Sequence, residues 1–227
     1  HITILSLSLG RAIGLNEHQL KELGICALLH DVGKVNVPLE YLRKPGKLSP
    51  SELVAVQRHT VDGALILAKQ PEAPPLAPIV AFEHHMGVNF SGYPKVHYLR
   101  ELNLYSLMVG VADVYDALTT QRPYRPPLAP TSALTLMHDL PQRPFEPRLL
   151  ARFTEMLGKY PAGTLVRLSD GQAAVVSRPN PGDLDRPFVR LLLEREGLTI
   201  VDKNELDLSQ TDPNTGAHVL SIAELIK

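Results

Sequence analysis

The stretch that decides the fold class is EHQLKELGICALLHDVGK, residues 17–34. Its apolar residues recur at spacings of three and four, which predicts an amphipathic α-helix through most of it. Asn16 stands directly before this helix and Gln19 follows three residues later, the pattern of a capping box. We therefore expect the helix to begin at a strong cap and to end by presenting His30 and Asp31.

The same helical periodicity extends on both sides of this stretch, through residue 158. Pro, Gly and capping residues divide it into successive helices, one of them predicted over about 50–69. After Tyr160-Pro161 the pattern changes to the alternation that is typical of short strands. The sequence thus predicts a mainly α protein with two domains: a helical bundle over 1–158, and a small C-terminal antiparallel β module over 159–227.

Composition excludes several classes of protein. The 227 residues carry 23 Lys and Arg against 24 Asp and Glu, a net charge of −1, so a broad basic surface for duplex nucleic acid is not expected. The apolar runs fall short of the ~18 residues that a transmembrane helix needs, so we expect no membrane segment. A lone cysteine, Cys26, is typical of a reducing compartment, and the cytoplasm is the expected location.

Histidines and aspartates form the most informative pattern in the chain. His30-Asp31 ends one predicted helix, His84-His85 ends another, and Asp113 lies within an apolar helical run where an ionised carboxylate is costly to bury. Mixed nitrogen and oxygen ligands without cysteine favour a catalytic binuclear centre of iron, manganese or a similar ion. The alternatives are that His30 only complements a helix dipole, or that single histidines are satisfied within the core.

A resemblance to a known family is carried by a series of motifs in a fixed order. They are His1, His30-Asp31-Val32-Gly33-Lys34, His59, His84-His85, Ser91-Gly92-Tyr93-Pro94, Asp113-Val114-Tyr115-Asp116 and Arg122-Pro123-Tyr124-Arg125. This series resembles the HD-GYP family of cyclic di-GMP phosphodiesterases over about residues 1–158. The resemblance implies an HD-type helical bundle.

The resemblance also implies a set of metal ligands. His1, His30, Asp31 and Asp113 would bind one divalent ion, and Asp31 would bridge to a second ion. That second ion would also be bound by the three remaining histidines of the series, which are His59, His84 and His85. A third metal, present in some members, would need an acidic residue before His1.

Further residues would bind substrate if the resemblance holds. Lys34 would contact a phosphate, so that it and Asp31 are the predicted catalytic residues. The loop of Gly92, Tyr93 and Pro94 would border the dinucleotide pocket. Arg122 and Arg125 are candidates for the second phosphate or a base, with solvated surface arginines as the alternative.

The implied reaction is hydrolysis of cyclic di-GMP by a metal-bound hydroxide, giving linear pGpG, with GMP as a candidate further product. Residues 86–90 depart from the family pattern, since the usual charges and large aromatic are replaced by Met-Gly-Val-Asn-Phe. Two alternatives therefore stay open: a cyclic-dinucleotide receptor or signalling module with little turnover, and an HD phosphohydrolase of another cyclic nucleotide. The partners expected are the cyclic dinucleotide, a regulatory domain upstream of His1, signalling proteins and a second copy in a homodimer.

Overall fold

The computed structural model describes residues 1–96, 101–121, 126–140, 144–195 and 198–226. The chain divides into two compact units, residues 1–152 and 153–227. The first is helical and the second is dominated by a sheet, so the predicted fold class is confirmed. The division falls within the helix that was expected to close the helical domain at 158.

The helices of the helical part are 4 to 16 residues long. Its elements are α1 (Ile2–Ala12), α2 (Glu17–Leu29), a 3-10 helix (Val32–Asn36), α3 (Leu39–Leu42), α4 (Pro50–Gln57), α5 (His59–Leu67), α6 (Ala77–Glu83), α7 (Leu104–Thr119), α8 (Pro130–Asp139) and α9 (Pro147–Leu157). No helix in the described ranges combines the length and the apolar character needed to cross a bilayer.

The helix starts follow the predicted capping chemistry. The Asn16 side chain accepts a hydrogen bond from the backbone N–H of Gln19, and the Gln19 side chain accepts one from Asn16, which completes the capping box. Ser49 and Glu52 form the same reciprocal pair at the start of α4. These caps satisfy N–H groups that a helix start otherwise leaves unpaired.

The prediction of one continuous helix over about 50–69 is wrong, because the structure divides this segment into α4 and α5 at Arg58. Two side chains just after the break contact carbonyls just before it. His59 Nδ1 lies 2.7 Å from the Val56 carbonyl oxygen, and Thr60 Oγ1 donates to the Gln57 carbonyl at 3.1 Å. Side chains that occupy the carbonyls of a helical ladder bend or break it.

Helix α7 is the central element of the helical unit and contacts α1, α2, α6 and α8. Four consecutive or near-consecutive residues in its middle are almost completely buried: Met108, Val109, Val111 and Ala112. Since this helix is apolar on most of its surface, it serves as the core against which the shorter helices pack. The polar residues that it carries therefore face protein rather than water.

The second unit is an antiparallel sheet, as predicted. Its strands are β1 (Leu165–Leu168), β2 (Ala173–Arg178), β3 (Phe188–Arg195), β4 (Leu198–Val201), β5 (Leu206–Asp207) and β6 (Ile222–Leu225). The strand order is β4-β3-β2-β1-β6, and β5 pairs with β3. Its core consists of Val166, Leu168, Ala174, Val176, Val189 and Leu208.

Candidate metal centre

Four side chains from three parts of the helical unit meet at one point. Asp31, His59, His84 and His85 each offer a ligand atom, and these atoms all lie within 4.8 Å of one another. Asp31 stands between α2 and the 3-10 helix, His59 opens α5, and the histidine pair follows α6. The fold thus brings together residues that are up to 54 positions apart in the sequence.

Asp31 lies at the centre of this cluster. Its Oδ1 is 3.2 Å from His59 Nε2 and 3.8 Å from His84 Nε2, and its Oδ2 is 3.4 Å from His30 Nε2. Lys34 forms an ion pair with the same carboxylate. Among the described residues, the buried atoms Asp31 Oδ1 and His30 Nε2 have no hydrogen-bond partner. Unpaired buried acceptors are costly, and a metal ion bound beside them would satisfy them.

The tautomers of three histidines are fixed by the backbone. In each, Nδ1 lies 2.7–2.9 Å from a carbonyl oxygen of the preceding helical turn, and so must carry the proton. The pairs are His30 with Ala27, His59 with Val56, and His84 with Ala81. The Nε2 lone pairs are therefore free to act as ligands, which is the arrangement common around protein-bound metals.

The protonation states of the cluster also suit metal binding. Burial, together with the neighbouring His59, lowers the pKa of His85 to about 3, and burial lowers the pKa of His84 well below its usual range. Burial also acts to raise the pKa of Asp31, but the close His30, His59 and Lys34 side chains outweigh it and hold that pKa far below its ordinary value. His84 and His85 are thus neutral imidazoles beside an ionised carboxylate, and these are the forms that bind metal.

The other predicted ligands lie beside the cluster at different distances. The His30 ring is perpendicular to the His84 ring, with centroids 5.0 Å apart. Asp113 Oδ2 lies 3.6 Å from His85 Nδ1. His1 instead contacts Asp116, with 3.2 Å between its Nδ1 and Oδ1 of that residue, and its side chain is 78% exposed. The structure brings His30 and Asp113 to the edge of the cluster, whereas the contact of His1 is with Asp116, three residues after Asp113 on α7.

Two glycines allow the backbone to close around the histidines. A Cβ atom on Gly33 would lie 1.9 Å from the His59 carbonyl oxygen, so only glycine fits where the 3-10 helix meets α5. Gly92 has a φ of +82° and a Cβ there would lie 2.0 Å from the His85 carbonyl oxygen. Both conditions require glycine. Gly92 therefore shapes the loop that follows the histidine pair.

Tyr93 and Pro94 are half-buried next to the cluster. The Tyr93 ring stacks at a tilt on His85, with centroids 4.6 Å apart, and burial raises the pKa of its hydroxyl, which stays protonated. Both residues line a groove of about 360 Å³ together with Val54, Arg58 and Lys95. The predicted phosphate-binding residues Arg122 and Arg125 lie outside the described residues.

Sequence reasoning did not single out Glu83, the residue before the histidine pair. Its carboxylate is 1% exposed and accepts hydrogen bonds from the start of α7. The signal in the sequence was an acidic residue at the end of the apolar run of α6, next to two candidate ligands. Arg58 and Lys95 were also missed, because exposed basic residues have no distinctive pattern.

Comparison with known proteins identifies the class to which this fold and cluster belong. The family model described as the HD domain matches residues 1–149, and the chain belongs to this family. HD domain phosphohydrolases depend on metal ions, and the His and Asp cluster of this chain is able to bind one. The expected resemblance to HD-GYP proteins is confirmed by the names of the curated relatives.

Three similar proteins illustrate the relationship. Cyclic di-GMP phosphodiesterase PA4108 of Pseudomonas aeruginosa is 33% identical over 95% of this chain and 52% of its own length. The 3'3'-cGAMP-specific phosphodiesterase 1 of Vibrio cholerae is 36% identical over 57% of this chain and 30% of its own. The solved HDGYP protein Bd1817 of Bdellovibrio bacteriovorus superimposes with a TM-score of 0.57 and 22% identity, covering 69% of this chain and 50% of that one. The chain thus spans about half the length, or less, of these relatives.

Proposed function

We propose that the protein is a metal-dependent phosphodiesterase that hydrolyses cyclic di-GMP to pGpG, with GMP as a candidate further product. The observation that carries this proposal is the cluster of Asp31, His59, His84 and His85, whose ligand atoms lie within 4.8 Å of one another. A relative named as a cyclic di-GMP phosphodiesterase, which matches 95% of the chain, supports this choice of substrate.

The proposed cofactors are two divalent ions, iron or manganese. Asp31 would bridge them, with His1, His30 and Asp113 on one ion and the three clustered histidines on the other. The unpaired Asp31 Oδ1 and His30 Nε2 atoms support this assignment, and the absence of sulfur ligands in the cluster favours these ions. Such ions act as Lewis acids toward a phosphodiester and lower the pKa of water.

Lys34 is the proposed phosphate-binding residue. Its ammonium pairs with Asp31 at the edge of the cluster, and its side chain is 39% exposed. A cation that is held by the half-buried Asp31 carboxylate yet reaches solvent is able to neutralise a non-bridging phosphate oxygen. Asp31 would then serve two purposes, since it both binds metal and orients the lysine.

The groove beside Tyr93 is the proposed place for a guanine base and its ribose. Its walls combine an aromatic ring, the apolar side chains of Val54 and Pro94, and two basic side chains, Arg58 and Lys95. An aromatic face stacks on a base, and a basic rim attracts the phosphates. We retain Arg122 and Arg125 as candidates for the second phosphate.

The test is product analysis with purified protein. Chelator-treated protein is reloaded with Mn²⁺, or anaerobically with Fe²⁺, and incubated with cyclic di-GMP, and the products are separated by chromatography. We expect pGpG from the parent chain and none from Asp31→Ala. Asp170→Ala, which changes an exposed turn of the sheet unit, should retain full activity. An Asp31→Ala variant with full metal content and activity would refute the assignment.

Two other functions have specific support. A relative at 36% identity is named as specific for 3'3'-cGAMP, so a different cyclic dinucleotide is the second candidate substrate. The loop of residues 86–90 contains no charged side chain, which favours a receptor with weak turnover. Competition between the two dinucleotides distinguishes the substrates, and binding measured by calorimetry without any product would support the receptor.

A further inference from the structure

Among the described residues, Glu83 carries the most deeply buried carboxylate, and no ligand role is proposed for it. It is 1% exposed, yet its Oε2 accepts two hydrogen bonds at 2.9 Å, from the Asn103 backbone N–H and from Ser106 Oγ. Asn103 is the N-cap of α7, and Ser106 lies in its first turn. A buried carboxylate is tolerated here because donors and the positive end of the helix dipole surround it.

Glu83 is followed directly by His84 and His85, and all three meet the same helix. Along α7, Ser106 bonds to Glu83, Gly110 packs against His84, and Asp113 lies 3.6 Å from His85. Positions 106, 110 and 113 are spaced at i, i+4 and i+7, so they lie on one face of α7. Three consecutive residues, Glu83 at the end of α6 and the two histidines after it, thus each contact a residue on one face of α7.

The middle contact fixes how closely α7 approaches the histidine pair. A Cβ on Gly110 would lie 2.7 Å from the His84 carbonyl oxygen, so the two backbones are already in close approach. The remaining motion is a shift of α7 along its own axis, which would change the distance between Asp113 and His85. The hydrogen bonds from Asn103 and Ser106 to Glu83 oppose that shift.

We infer that Glu83 is a positioning residue that fixes the axial register of α7 against the histidine pair and so sets the distance between His85 and Asp113. It acts through Ser106 and the N-terminus of α7, without itself binding metal. The inference rests on the proposed function, because it concerns the centre that would hold the metal ions.

The test is Mn²⁺ binding to chelator-stripped protein, measured by calorimetry without substrate. We expect Glu83→Ala to weaken Mn²⁺ binding by about tenfold or more, the range seen when residues that support metal ligands are removed. Ser106→Ala should weaken it less. The double variant should be no weaker than Glu83→Ala alone, because both changes break one interaction and are therefore not additive.

A control separates positioning from general loss of stability. Asn16→Ala removes the capping box at the start of α2, whose side-chain hydrogen bonds join only Asn16 and Gln19, and it lowers the unfolding temperature. We expect it to leave the Mn²⁺ affinity within about twofold of the parent value, far less than the effect of a lost supporting residue.

Three outcomes would overturn the inference. They are unchanged Mn²⁺ affinity in Glu83→Ala, an equal loss of affinity in Asn16→Ala, and additive effects in the double variant. Failure of the proposed function would look different. If the variants change Mn²⁺ affinity as expected but the parent chain leaves cyclic di-GMP intact, only the phosphodiesterase assignment is refuted.

Discussion

Replacing Gly33 by alanine tests how tightly the 3-10 helix is held against α5. The new Cβ would lie 1.9 Å from the His59 carbonyl oxygen and 2.5 Å from the Gly63 backbone nitrogen, whereas ordinary contacts begin at 3.4 Å. To remove this clash, the two backbones must separate by roughly 1.5 Å, since both of the atoms that the Cβ would meet belong to the main chain. Overpacking of this kind costs about 3 kcal/mol, the upper part of its usual range.

This cost converts into a measurable change in the unfolding temperature. For a chain of this size 1 kcal/mol corresponds to roughly 2–4 °C, so Gly33→Ala should unfold about 6–12 °C below the parent in a calorimetric scan. Mn²⁺ binding should also weaken, because Asp31 and Lys34 flank the displaced turn.

The matched control is Gly24→Ala in α2. There the Cβ would meet only the flexible Leu7 side chain, at 3.3 Å, and alanine favours the helix by about 1 kcal/mol. The control should therefore unfold at or above the parent temperature. A Gly33→Ala variant with parental stability and Mn²⁺ affinity would refute the close approach of these two segments.

Three further predictions concern other parts of the chain. Tyr93→Ala should raise the KM for cyclic di-GMP by roughly 5- to 150-fold in steady-state assays, the equivalent of about 1–3 kcal/mol of base stacking, while Tyr93→Phe keeps the ring and stays near the parent value. Burial raises the pKa of the Cys26 thiol from its ordinary 9.0 to about 12, so iodoacetamide at pH 8.5 should label it only after unfolding. Because the native state retains this proton longer than the unfolded state does, the stabilising contribution is complete below pH 9 and is lost as the pH rises toward 12, which urea titrations at several pH values will measure. Leu168→Ala should cost about 2–5 kcal/mol in the sheet unit, and Mn²⁺ calorimetry should show unchanged binding.

The local features of the fold were predictable because they depend on short stretches of sequence. The capping boxes at Asn16 and Ser49 need only residues three positions apart, and both are present. The change from helical to alternating periodicity after Tyr160 likewise located the sheet. By contrast, the sequence pattern did not indicate β5 and β6, since β5 has only two residues and the β6 segment IAEL lacks strict alternation of apolar and polar residues.

The site was predictable in its residue types but not in its internal arrangement. Histidine and aspartate in a neutral chain indicated a metal centre, and the four clustered side chains agree with that pattern. The break at Arg58 depends on where the His59 and Thr60 side chains form hydrogen bonds, which periodicity does not reveal. The contact of Glu83 with Ser106 joins residues 23 positions apart and requires the packing of α6 on α7.

The most direct test of the central claim is to measure pGpG formed from cyclic di-GMP by the Mn²⁺-loaded chain, before and after addition of a chelator. We predict that pGpG accumulates while the metal is bound, that chelation stops its formation, and that restored Mn²⁺ revives it. Intact cyclic di-GMP after prolonged incubation with protein that demonstrably contains metal would contradict the claim.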